Sequence, residues 1–295
     1  MLDLKQFGFL ALWSPYFFLF ISLFTILFFY IAIKKRHLFP GKEPITVWES
    51  IGFIFTMLLV YIVKGSPIDL LGHLMFTFHM VQMAILNLVI PPLLILFVPD
   101  WMWQRIITLP FIRQIFRFFT KPIVALLFFN GMFSFYHVPL IFDFMKTDII
   151  YHSTYTLFLF IAAFFMWWPL LNKVEKKQLN GLQKAFYLVA DSVLITPACA
   201  LIIFSPQAFY ESYTNVEVWL QSLALCVPVR TLENLNLPGP EIFNLLPAHV
   251  DQQAGGVIMK VLQEIIYATV LYRSIKEWFR QEREKELTST YDRWN

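Results

Sequence analysis

The chain has 295 residues; 58% are apolar, 18% are aromatic, and only 15% are charged, for a net charge of +3. A soluble domain carries roughly 25% charged residues, so this composition excludes an ordinary water-soluble enzyme, a disordered scaffold and a nucleic-acid binder. Two Cys exclude a disulfide framework and a cysteine-built zinc fold.

The apolar residues fall in long runs, and a helix crossing a ~30 Å hydrocarbon core needs about 20 of them. Seven spans are predicted, at 15–33, 46–63, 70–97, 121–136, 149–170, 185–204 and 256–275. The start of the chain lacks the basic region and small-residue cleavage site of a secretory signal, so the first run is read as a retained span. The third is long, and a break is expected at Pro91-Pro92 because proline removes a helical donor. The fourth is short. Loop 205–255 carries five prolines and is long enough to expect a structure or role of its own. Within it, Val216 to Cys226 is predicted to form a short helix on the membrane surface. The tail 276–295 reads as a charged continuation of the last helix into water. The expectation is an all-α polytopic membrane protein, one seven-helix domain over 1–295.

Charge fixes the expected orientation. Lys34, Lys35, Arg36 and Lys42 follow the first span, Arg105, Arg113, Arg117 and Lys121 the third, and Lys173, Lys176, Lys177 and Lys184 the fifth. Arg273, Lys276, Arg280, Arg283, Lys285 and Arg293 follow the seventh. The opposite side carries only Lys5, Lys64, Lys146, Arg230 and Lys260. By the positive-inside rule the first set is cytoplasmic, which puts the N-terminus outside and the C-terminus inside.

That orientation makes the histidines informative. His37 sits in the first basic loop, whereas His73, His79, His137, His152 and His249 all fall toward the outer side. In the third span, Met75, His79 and Met83 make one stripe on a straight helix, and His73, Met80 and Asn87 a second. His73 and His79 are then about 120° and roughly 9 Å apart, so they read as successive stations rather than two ligands of one ion. Imidazole with thioether is a soft donor set that suits Cu(I) better than Mg, Ca or Mn. An ionisable residue deep in a bilayer is functional by default. Asp191 and Glu264 also lie within spans and are candidates for pairing with His or relaying protons, or, for Glu264, for bonding a neighbouring helix. Gly255-Gly256 allows close backbone approach. Cys199 and Cys226 read as packing residues. There is no phosphate loop, HExxH or GxSxG motif, so nothing points to an enzyme.

Three stretches carry a resemblance. They are His79-Met80-Val81-Gln82-Met83 with Pro91-Pro92-Leu93-Leu94; Tyr136-His137-Val138-Pro139 through Ile150-Tyr151-His152 to Trp167-Trp168-Pro169-Leu170; and Asp251-Gln252-Gln253-Ala254-Gly255-Gly256. In these the chain resembles the CtaG-type, seven-span cytochrome c oxidase assembly factors of Gram-positive bacteria. It departs at Met83, where many members carry His. The resemblance implies a bacterial cell-membrane protein that matures a caa-type haem-copper oxidase, with oxidase subunits, the lipid bilayer and other copper chaperones as partners. It implies copper, as Cu(I), on the outer side. His79, His137 and His152 are the leading ligand candidates, with His73, Met80 and Met83 as secondary ligands or transfer stations. Met75, Gln82, His249, Asp251 and Glu264 are candidates for an entrance or for orienting the ligands, and Tyr155 is a further candidate acceptor for a ligand's ring N–H.

Other functions remain open to the sequence. Two His on facing helices, such as His79 and His152, can hold a b-type haem. A metal-free scaffold for an oxidase subunit needs no ligands. A transporter needs donors along its whole path, but the inner halves offer only Asp191, Met166 and Glu49. A retinal photoreceptor needs a lysine in mid-helix seven, whereas Lys260 lies near its outer end.

Overall fold

Proline or a capping side chain opens most of the long helices, because the first N–H groups of a helix lack intrahelical acceptors. The computed structural model describes residues 4–38, 43–175, 178–235, 237–243 and 245–294; beyond 280 it describes the side chains of 282–284 and 286. Lys42, Lys176 and Lys177 of the basic set lie outside these residues, as do the side chains of Lys285 and Arg293. Helix α1 is Pro15–Phe29, running on through a π turn, and α2 is Val47–Gly65. Thr46 and Glu49 form a reciprocal capping box at the start of α2. Next come α3 (Pro67–Leu74), α4 (Phe76–Ala84), a π turn over Ile85–Val89, and α5 (Ile90–Phe97). Then follow α6 (Asp100–Ile107), α7 (Pro110–Phe119), α8 (Pro122–Tyr136) and α9 (Pro139–Lys146). The rest are α10 (Ile149–Leu171), α11 (Gly181–Ile203), α12 (Val216–Leu223), α13 (Val229–Leu235) and α14 (Ala248–Trp294). No strand occurs among the described residues.

Six of these helical paths are long and apolar enough to cross a membrane; α7 with α8, bent by 83°, makes a seventh if the pair is one span. The protein is a multi-pass, all-α membrane protein. Helix α14 packs along α11 and α4. Contact there is close because Gly255 and Gly256 lack side chains: a Cβ on Gly255 would come within 2.7 Å of the Phe76 ring, and one on Gly256 within 2.8 Å of Ile203. Helices α1 and α2 stand at the edge and leave Phe20, Leu23, Ile54 and Phe55 exposed, as a lipid-facing surface does.

The third span corrects the expected break. Pro91 has no N–H for the Asn87 carbonyl, but Trp167 Nε1 of α10 donates to that carbonyl at 3.0 Å. The π turn and this indole carry the helix past both prolines. The break lies instead at Met75, whose backbone is extended (φ −135°, ψ 132°). In an unbroken helix Phe76 N–H would bond the Gly72 carbonyl. Here Phe76 N–H donates to Asp251 Oδ2 at 2.6 Å, and the Gly72 carbonyl accepts from Tyr213 OH at 2.7 Å and Lys146 Nζ at 3.1 Å. The carboxylate faces the positive end of α4 and the ammonium the negative end of α3, which is the favourable arrangement for both helix dipoles.

Loop 205–255 is structured where described. The predicted helix is present as α12, and Trp219 and Leu223 bury against Leu70 and Leu74 of α3. Asp143 of α9 accepts from Glu211 N, Ser212 N and Ser212 Oγ, which pins the loop over the break.

Removing the Asp251 carboxylate leaves a buried N–H without an acceptor, so Asp251→Ala is expected to lower stability by about 1–3 kcal/mol, and Asp251→Asn by less. Unfolding in mixed detergent micelles reads this. By the same measurement Gly255→Ala is destabilising, whereas Gly131→Ala, whose Cβ would meet nothing within 4 Å, is neutral or stabilising.

Candidate functional site

The break at Met75 turns α3 away from the register of α4, so His73 and His79 no longer share one straight helix. His73 faces His152 of α10, with ring centroids 5.8 Å apart. His79 faces His137 at the end of α8, at 6.2 Å. All four rings are buried. Tyr136 stands between the two pairs: its ring is 6.0 Å from His79, and its hydroxyl lies 3.4 Å from His152 Nδ1. Tyr136 is a site residue that the sequence pattern does not single out. Its position next to His137 was the available signal.

Hydrogen bonds orient several rings. His137 Nδ1 lies 2.8 Å from the Phe133 carbonyl. A carbonyl only accepts, so Nδ1 carries a proton, and in the neutral ring Nε2 holds a bare lone pair. His137 Nε2 is buried without a hydrogen-bond partner, and so is His79 Nε2. His73 Nδ1 lies 3.2 Å from Ser222 Oγ of α12, so the long loop reaches into the site. Tyr210 OH donates to the His137 carbonyl at 2.9 Å. Phe142 sets its edge on His79 at 5.1 Å. The Tyr210 ring stacks on Phe76 at 4.7 Å and lies 4.5 Å from Phe142, so an aromatic layer covers the histidines.

The structure distributes the remaining predicted residues as follows. Met80 is buried and faces Gly255 of α14. Met83 is buried one turn along α4 from His79. Met75 sits at the break and packs with Leu70 and Leu74, so the expected Met75–His79–Met83 stripe does not form. Gln82 donates to Asp69 at 2.6 Å and to the Val63 carbonyl at 2.8 Å, tying α4 to α2 and α3 instead of orienting a histidine. Tyr155 OH donates to the Met132 carbonyl. His249 Nε2 donates to the Ser205 carbonyl at 2.9 Å, and Asp251 caps α4 with Oδ1 left unpartnered and buried. Glu264 is largely exposed and pairs with Lys260 at 2.8 Å and Ser192 at 2.7 Å. Asp191 is fully buried between Asn130 and Tyr267, far along α11 and α14 from the break. Among the described residues no three His, Cys, Asp or Glu side chains group closely enough to hold a metal ion. The cluster is therefore two imidazole pairs rather than one multidentate cage.

A residue absent from the sequence-based site is Lys146. It ends α9 with 1% exposure, and its ammonium bonds Gly72 O and Tyr213 OH and lies over the rings of Tyr213 and Phe142 at 4.7 and 5.6 Å. Burial pushes it down to about 7. Burial likewise raises the neighbouring Tyr213 hydroxyl well above its ordinary value.

No curated protein and no solved structure shows significant similarity to the chain. Residues 26–281, however, match the profile of the cytochrome c oxidase caa3 assembly factors. That match takes in all four paired histidines, the break, its caps and nearly all of the membrane-spanning length, and the chain belongs to the cytochrome c oxidase caa3 assembly factor family.

Proposed function

We propose that this assembly factor binds Cu(I) between His79 and His137 and passes it to a subunit of the oxidase. The observation that carries the reading is the pair of buried, unpartnered imidazole nitrogens, His79 Nε2 and His137 Nε2, on rings 6.2 Å apart. A buried polar atom without a partner is costly, and a soft cation is a partner for an imidazole nitrogen in its proton-free tautomer, the one the Phe133 carbonyl imposes on His137. Two imidazoles joined in line through one ion, at metal–nitrogen bonds of ~2 Å, have centroids about 6 Å apart. Cu(I) accepts two or three ligands, and Met83 offers a thioether as a third. His73 and His152, linked to the first pair through Tyr136, form a second station beneath α12. Copper here is cargo, so the role is delivery rather than catalysis.

The haem alternative fits less well. Tyr136 stands between His79 and His152, its ring 6.0 Å from the first and its hydroxyl 3.4 Å from Nδ1 of the second, where a planar macrocycle held by those two residues would have to lie.

The basic loops support an orientation with the histidine end outside the cytoplasm. A secreted-phosphatase fusion at Cys226 is expected to be active and one at Leu179 inactive; the reverse pattern overturns the orientation. For the metal, full-length protein purified in detergent under reducing conditions is expected to retain about one copper per chain by elemental analysis. His79→Ala/His137→Ala is expected to lose it, with Cu(I) affinity reduced at least ~100-fold, because losing even a residue that only orients a metal ligand costs about 10–100-fold. A copper-free wild type that still supports oxidase maturation would favour a scaffold that holds a subunit without metal.

A further inference from the structure

The buried lysine has no place in a simple cation-binding site. Buried charges in proteins are paired or expelled, because desolvation is expensive. Lys146 is 1% exposed, and among the described residues no carboxylate forms an ion pair with it. Its bonds go to a carbonyl and a hydroxyl, both neutral. Its ammonium bonds the carbonyl of Gly72, next to His73, and lies 5.6 Å from the centre of the Phe142 ring, which in turn meets His79 at 5.1 Å and His137 at 6.2 Å. Capping alone does not account for it, since Tyr213 OH already donates to the Gly72 carbonyl at 2.7 Å. A neutral donor would also satisfy that carbonyl and would not place a positive charge beside the histidine pairs.

We propose that Lys146 sets the affinity of the histidine site for its cation: its unpaired ammonium repels the bound ion and keeps it exchangeable. This rests on the copper reading above and gives it a release mechanism. A carrier must bind tightly enough to load and loosely enough to unload. Paired imidazoles in a dry, aromatic-walled site favour tight retention. A like charge beside the site opposes it without removing a ligand or opening the site to water. Lys146 touches neither His79 nor His137, so it is a positioning charge and not a ligand.

The test is Cu(I) affinity, measured by competition with a chromophoric Cu(I) chelator, on full-length protein in detergent at about pH 6, where the ammonium is charged. Lys146→Met removes the charge and keeps the length of the side chain; Lys146→Gln does so while keeping a donor for Gly72. Both are expected to bind Cu(I) more tightly, on the order of tenfold or more, as removal of a like charge within about 12 Å produces at an effective dielectric of ~20. Tyr213→Phe removes the other donor to Gly72 without changing charge and is expected to leave affinity within about twofold, since it makes no Coulomb change. Wild type that binds Cu(I), with both Lys146 variants no tighter, overturns this inference and leaves the copper reading standing. Equal tightening by Tyr213→Phe assigns the effect to the geometry of the break and also overturns it. If neither wild type nor Lys146→Met binds Cu(I), the copper reading fails and this inference with it.

Discussion

The interruption of the third membrane path at Met75 is the constraint on which the rest of the site depends. In a bilayer each freed backbone group needs a protein partner, because no water is there to supply one. The freed donor, Phe76 N–H, goes to Asp251 of α14, and the freed acceptor, Gly72 O, goes to Lys146 and Tyr213. Three segments separated by long stretches of chain therefore meet at one turn. A carboxylate at a helix start and an ammonium at a helix end are each favourable, and broken membrane helices commonly mark binding sites for this reason.

The same break creates the pairing of the histidines. A straight helix would carry His73 and His79 on separate faces. The extended residue between them lets α3 present His73 to α10 and α4 present His79 to α8. Close packing then keeps water out: Gly255 admits Phe76 and Met80 against α14, Phe76 stacks on Tyr210, and Phe142 closes over His79. Inside such a layer charges are weakly screened, so a single unpaired lysine weighs heavily. Asp143 contributes indirectly by holding the loop that brings Tyr210, Tyr213 and Ser222 into place.

The sequence made the spans legible because membrane crossing is a property of composition and length. All seven predicted runs overlap helices, and the short fourth run is short because α7 turns by 83° before α8 begins. Four of the five histidines outside the first basic loop do come together, in two pairs. Less legible was the part each neighbour plays. Gln82, His249 and Asp251 are the polar residues a reader assigns to a metal site, yet their side chains tie helices and loop together. Pro91-Pro92 is the strongest breaker in the third span, yet the helix continues because Trp167, distant in sequence, supplies the missing donor. Met75 carries no breaker signal at all. The two loose ends at its extended backbone are taken up by partners distant in sequence, Asp251 for the donor and Tyr213 with Lys146 for the acceptor.

By itself, then, the sequence determined what local composition can determine: an all-helical membrane protein, its approximate spans, the segregation of basic loops from histidines, and the motifs that mark its family. The tertiary structure alone decided which histidines face one another, which imidazole nitrogens are left without partners, and that a buried lysine stands beside them. The reason is physical. Periodicity reports which face of a helix is apolar, but a break in a helix, and the polar groups that heal it, depend on partners up to 175 residues away in the chain.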